Sequence, residues 1–133
     1  MAEENVIHNL VDIADAEQDT FGPKGFRDPE ALLYWLQENQ PEEKETICHG
    51  DFCLPNIFLT EDGVTGMIDL GRSGVSDPWQ DIALCYRSLN NNYSGIYDGK
   101  SHAGYKPEML FDALGIPADP ERIRYYILMD ELF

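Results

Sequence analysis

A length of 133 residues is that of one ordinary domain, and 43% hydrophobic residues with two Trp, seven Tyr and six Phe exclude a disordered chain. A formal charge of −16, from 25 acidic against 9 basic residues, excludes nucleic acid as an expected partner and suits a cationic ligand, although solubility alone also accounts for it. No apolar run reaches membrane-spanning length and Met1–Asn5 lacks the basic and apolar regions of a secretory signal, so a cytoplasmic protein with no membrane partner is expected.

Residues 1–28 read as polar and irregular, with a loop at Phe21-Gly22-Pro23-Lys24-Gly25. Asp28-Pro29-Glu30 opens a helix, with Asp28 as N-cap and Pro29 at the first helical position. Ala31, Leu32, Leu33, Trp35 and Leu36 give this helix an apolar face, and Pro41 lies beyond its end. Residues 46–70 change period: Thr46-Ile47-Cys48 is a short apolar lead-in. Asn56–Leu59 and Val64–Ile68 are strand-like around the turn signal Glu61-Asp62-Gly63. Asp77-Pro78-Trp79 opens a second capped helix, with Ile82, Ala83, Cys85, Tyr86 and Leu89 expected on its buried face. Asn90 to Gly104 reads as a loop, Lys106 to Leu114 as a helix closed by Gly115, and Asp119 as the N-cap of a last helix. Cys48, Cys53 and Cys85 are odd in number and lack metal-ligand spacing, so they read as buried, reduced thiols.

The chemistry concentrates in His49-Gly50-Asp51-Phe52-Cys53-Leu54-Pro55-Asn56 and, thirteen residues later, Asp69 of Met67-Ile68-Asp69-Leu70-Gly71. An Asp, an Asn five residues on and a second Asp beyond a hairpin are the parts of a phosphoryl-transfer site, in the order protein kinases use them. One carboxylate suffices to orient an acceptor hydroxyl and take its proton, which is the role of Asp51. Mg²⁺ prefers few protein oxygens, which suits Asn56 and Asp69 at the two ends of one hairpin. A carboxylate ending a buried apolar strand must find a partner, and a metal would supply one for Asp69.

With Gly50 in place of the kinase arginine and Leu70 before Gly71, the set resembles the aminoglycoside phosphotransferases, of the 3'-phosphotransferase type. The resemblance implies ATP and Mg²⁺ as cofactors and a polycationic aminoglycoside as partner. It also implies structural support of the site by His49, and by Asp81 of Asp77-Pro78-Trp79-Gln80-Asp81 through the catalytic loop's backbone. Arg72 is placed against substrate, a phosphate or a surface acid. Two acidic clusters bear on substrate: Asp12, Asp15, Glu17 and Asp19, and the ending Asp130-Glu131-Leu132-Phe133. Acids at a helix C-terminus oppose the macrodipole, a cost tolerable on a frayed, exposed tail. The resemblance instead gives Asp130, Glu131 and the terminal carboxylate of Phe133, with Asp15 and Glu17, the drug's amines to bind.

The fold expected is mainly α with a small β-hairpin, the C-terminal catalytic lobe of a protein-kinase-like α+β fold, as a single domain over residues 1–133. No glycine-rich phosphate loop or strand lysine precedes the catalytic loop, so the N-terminal nucleotide lobe is expected to be absent. A kinase of another small alcohol such as choline or a sugar, and a non-catalytic cation-binding remnant, are the competing readings.

Overall fold

The computed structural model describes residues 1–96 and 100–133. Residues 97–99, in the middle of the expected 90–104 loop, lie outside the described residues, and so do any substrate contacts they would make.

The chain divides into two compact units, Met1–Glu42 with Arg124–Phe133, and Glu43–Ile123. In the first, a short helix α1 (Ala2–Ile7) and a single 3₁₀ turn (Ile13–Asp15) replace the irregular segment expected over residues 1–28. The turn forms because the Asp12 side chain accepts from Ala14 N, the competition of a short acid with the backbone that also favours helix caps. Helix α2 (Pro29–Glu38) starts where expected, the Asp28 carboxylate accepting from Ala31 N at 2.8 Å. That carboxyl is held below its ordinary range by the Ala31 N–H first and by Arg27 second. The core of this unit is Val6, Leu32, Leu36, Tyr125, Tyr126, Leu128 and Leu132. Trp35 packs edge-on to Phe26 and beside Tyr125, with the Arg124 guanidinium 4.9 Å from its ring centre. In the turn that leads to Phe26, a Cβ on Gly25 would meet the Asp19 carbonyl oxygen at 2.1 Å, so only glycine fits.

The second unit carries four strands in two antiparallel pairs. β1 (Thr46–Cys48) pairs with β4 (Gly74–Ser76), Cys48 opposite Gly74. β2 (Ile57–Thr60) and β3 (Gly63–Met67) form a hairpin with Ile57 opposite Met67 and the turn at Glu61-Asp62. Helix α3 (Pro78–Tyr93) follows, then α4 (Met109–Leu114), closed by Gly115 in the left-handed conformation. The α3 helix runs one turn past Leu89, into residues expected to be loop, and α4 begins three residues later than expected. The first turn of α5 (Pro120–Asp130) belongs to this unit, with the Asp119 carboxylate accepting from Arg122 N.

The expected face of α3 is corrected in part. Ala83 is buried, but its buried companions are Gln80, Leu84 and Ser88, while Ile82, Cys85, Tyr86 and Leu89 are half-covered. Ser88 is turned inward where its Oγ accepts from the loop amide of Leu54. The buried strand expected before Asp69 is also overturned: Val64 is 56% and Met67 48% exposed, and Phe58 and Leu59 across the hairpin are exposed as well.

Asp77 is the buried charge that ties this unit together, at 1% exposure. One oxygen caps α3 through Trp79 N at 2.8 Å, and the other accepts from Lys44 N at 2.7 Å with Arg122 at 3.8 Å. Asp77→Ala leaves two part-buried N–H donors without their acceptor and removes one of the two carboxylates beside Arg122, which keeps Asp119. The expected loss is roughly 2–4 kcal/mol of unfolding free energy, measured by urea unfolding followed by circular dichroism. A variant within 0.5 kcal/mol of the parent would show that water replaces the carboxylate at no cost.

Candidate active site

The two strand pairs place two loops against each other. One runs from β1 to β2, residues 49–56; the other from β3 to β4, residues 68–73. Antiparallel register makes this unavoidable: Ile57 faces Met67, so Asn56 lies beside Ile68, whose N–H donates to the Asn56 carbonyl at 3.0 Å. Asn56 and Asp69 therefore sit at the open end of the same hairpin.

Gly50 allows the close approach of these loops. Its φ is +87°, and a Cβ there would lie 2.2 Å from the Arg72 carbonyl oxygen. Both facts exclude any other residue, so Gly50 brings the half-buried Arg72 of the 3₁₀ turn Leu70–Arg72 up behind the 49–56 loop. His49 stitches the loops from inside. Its ring accepts the Asp51 N–H at Nδ1 (3.2 Å) and bonds the Ile68 carbonyl through Nε2 (2.9 Å). Together these require the tautomer with its hydrogen on Nε2. The ring is buried and packs edge-on to Phe52.

Asp81 reaches the loop from the first turn of α3. Its two oxygens accept from His49 N at 2.7 Å and from Gly50 N at 2.9 Å, two charge-assisted bonds to consecutive amides. Burial first, with Asp81 and Asp77 nearby, pushes the neighbouring Cys48 thiol up to about 11.

Asp51 is half-buried at the bend. Asn56 Nδ2 donates both to its carbonyl at 2.9 Å and to its carboxylate Oδ2 at 3.1 Å. The amide nitrogen of Asn56 is thus committed to Asp51, and its Oδ1 remains to face elsewhere. Asp69 takes the left-handed conformation, φ 59° and ψ 55°, and is exposed, with no capping hydrogen bond from its side chain. A non-glycine residue in that conformation is uncommon and is tolerated best by Asp and Asn.

Two residues of the site escaped sequence reasoning. Ser88 Oγ accepts from Leu54 N at 3.0 Å, tethering the far side of the loop to α3. The Cys53 thiol donates to Asp51 Oδ1 at 2.9 Å. Ser88 had a signal: it lies two turns after Asp81, on the same helix face.

The acids of the other unit are also ordered. The chain keeps turning past α5, Leu132 N bonding to Met129 O and Phe133 N to Asp130 O. Leu132 is fully buried, and Asn5 Nδ2 donates to its carbonyl at 2.8 Å. The ending is docked, not a frayed tail. The Glu131 carboxylate accepts the Glu17 N–H, at 3.1 and 3.2 Å from its two oxygens, so the two acidic clusters of the sequence meet. Asp15 stands at the end of the adjoining 3₁₀ turn and is exposed.

The sequence profile of the phosphotransferase enzyme family matches residues 4–126. The chain belongs to this family. Among its relatives it is 44% identical to an aminoglycoside 3'-phosphotransferase of Enterococcus faecalis over 92% of this chain and 42% of that protein. Its identity to the enzyme of that name from Staphylococcus aureus is 42%, with the same coverage. The crystal structure of the type VIII aminoglycoside-3'-phosphotransferase superposes with a TM-score of 0.77 at 30% identity, over 99% of this chain and 48% of that one. An aminoglycoside phosphotransferase of Streptomyces rimosus, solved with ADP and streptomycin, gives 0.75 at 30% identity, over 98% and 49%. The chain thus spans about half the length of the relatives it matches. The fold is that of the family's kinase-like lobe, helix-rich with a small antiparallel hairpin, as the sequence led one to expect. No helix among the described residues is long and apolar enough to cross a membrane.

Proposed function

We propose that this chain is the catalytic and substrate-binding lobe of an ATP-dependent aminoglycoside 3'-phosphotransferase, a kinase whose activity confers antibiotic resistance. The observation that carries the reading is the Asp51 carboxylate, held by Asn56 in a loop whose backbone Asp81 fixes from α3. In this reading Asp51 orients the acceptor hydroxyl and takes its proton. His49 is a support: both ring nitrogens are engaged within the loops, leaving none for a second proton transfer. Arg72, backing Gly50, is placed to meet a phosphate or the substrate.

The donors suit Mg²⁺. Asn56 has given its amide nitrogen to Asp51, which leaves an oxygen, and Asp69 offers an exposed carboxylate one residue beyond Ile68. Among the described residues no group of three His, Cys, Asp or Glu is placed to hold a metal, and a site of one amide and one carboxylate needs none. Mg²⁺, when bound, would neutralise charge on the ATP phosphates. The nucleotide's remaining contacts are assigned to the part of the relatives that this chain does not span. ATP use implies the cytoplasm as the working compartment.

The decisive test joins the amino-terminal half of the Enterococcus faecalis relative ahead of residue 1 and follows transfer of labelled γ-phosphate to kanamycin. Transfer to the 3'-hydroxyl is expected. Because a streptomycin-bound structure is also similar, streptomycin is the informative competitor. Phosphorylation of choline in place of either drug would overturn the substrate class.

The docked acids Asp130 and Glu131, with Phe133, Asp15 and Glu17, are assigned to the drug's ammonium groups. Truncation is a poor probe, because it removes the fully buried Leu132. Asp130→Asn with Glu131→Gln keeps the shape and an oxygen acceptor for Glu17 N. Calorimetry with kanamycin on the 133-residue chain should show affinity falling roughly tenfold, as for two partly exposed ion pairs. The parent's binding should weaken further with salt, through screening over ~8 Å at physiological ionic strength. Equal affinities, or indifference to salt, would make the ending a solvated surface.

A further inference from the structure

The Asp51 carboxylate has a donor on each oxygen. Asn56 Nδ2 serves Oδ2 at 3.1 Å, and the Cys53 thiol serves Oδ1 at 2.9 Å. We propose that Cys53 is a positioning residue for phosphoryl transfer, its thiol fixing the rotation of the Asp51 carboxylate so that a lone pair faces the acceptor hydroxyl. The proposal rests on the reading of Asp51 as the base.

The argument is geometric. The terminal torsion of an aspartate is broad and roughly two-fold, so a donor on one oxygen alone leaves the group free to wag. Donors on opposite oxygens remove that freedom. A carboxylate offers about four acceptor sites, so two donors still leave room for a substrate hydroxyl. Cys53 is itself held. Its N–H bonds the Asp51 carbonyl at 2.9 Å, its carbonyl accepts from Asn56 N at 3.0 Å, and the next residue is tied to Ser88. A thiol is a weak donor. Its part is therefore to fix orientation, not to add much binding energy to the carboxylate.

The test has two arms. In the joined full-length protein, Cys53→Ala should lower kcat roughly tenfold, the scale of a modest misorientation, with the KM for kanamycin within twofold. Cys53→Ser, which restores a donor, should recover most of the loss. Unchanged kcat in Cys53→Ala, a Ser variant as slow as Ala, or an effect confined to KM would overturn the proposal. A parent that transfers no phosphate would instead sink the functional reading. The second arm uses the 133-residue chain alone: iodoacetamide labelling of Cys53, read by peptide mass spectrometry. The Cys48 thiol is pushed up to about 11 and that of Cys85 is raised by burial and Asp81, so both should react slowly beside it. Asp51→Ala should speed labelling of Cys53 several-fold, since it releases the thiol and removes a neighbouring negative charge. An unchanged rate would mean that the thiol and the carboxylate do not hold one another.

Discussion

Asp51→Asn in the joined full-length protein is expected to lower kcat by roughly 10²–10⁴-fold, the usual effect of losing a general base, while kanamycin affinity changes little. The substitution isolates chemistry because the surroundings survive it. The loop is held at His49 and Gly50 by Asp81, at Leu54 by Ser88, and between Asp51 and Ile68 by the His49 ring. None of these bonds uses the Asp51 carboxylate. The new amide can still present an oxygen to the thiol or to Asn56, but it cannot accept the hydroxyl proton. Initial rates with calorimetry on the same samples separate the two effects. Turnover within threefold of the parent would remove Asp51 from the chemistry.

Asp69→Ala is expected to abolish transfer, and Asn56→Ala to raise the Mg²⁺ concentration needed for half-maximal rate. The two should differ. Asp69 is exposed, and its left-handed backbone is one an alanine adopts less readily, so part of its loss could be conformational. Asp69→Asn tolerates that backbone and removes only the charge. It should be nearly as inactive as the alanine variant if the carboxylate is a metal ligand. Asn56→Ala also removes the donor to Asp51 Oδ2, so its kcat should fall even at saturating Mg²⁺. A Mg²⁺ titration identical in all variants would end the assignment of these two residues to a metal.

The caps and the hairpin were legible from residue types alone. Asp28-Pro29, Asp77-Pro78 and Asp119-Pro120 each open a helix because an acid that accepts a backbone N–H precedes a residue needing no N–H. Asp51 and Asn56 were named from the order of parts that protein kinases use; the hydrogen bond from Asn56 to the Asp51 carboxylate was not foreseen. What failed was burial. Hydrophobic residues in β2 and β3 suggested a buried strand, yet these side chains are exposed, and periodicity cannot say which apolar face is covered. The α3 face failed in the opposite sense: the apolar residues expected inside are half-covered, while Gln80 and Ser88 are buried and Ser88 takes a loop amide. Cys53 read as an inert buried thiol because its bond to Asp51 spans only two residues and follows no periodic rule.

Among the described residues both strand pairs stop at two strands, and they carry exposed apolar side chains: Ile47 at 86% and Val75 at 69% on one, Phe58 and Leu59 on the other. The behaviour expected in the test tube is that of a charge-stabilised colloid. Open ladder edges beside apolar side chains are templates for pairing with a second molecule. The restraint among the described residues is mutual repulsion from a net charge of −16. Anything that cancels that charge removes the restraint: salt, a pH low enough to protonate carboxylates, or a polycationic drug near charge equivalence. Calorimetry with kanamycin must therefore be paired with light scattering, because the ligand that reports the site is also the counterion most able to precipitate the protein.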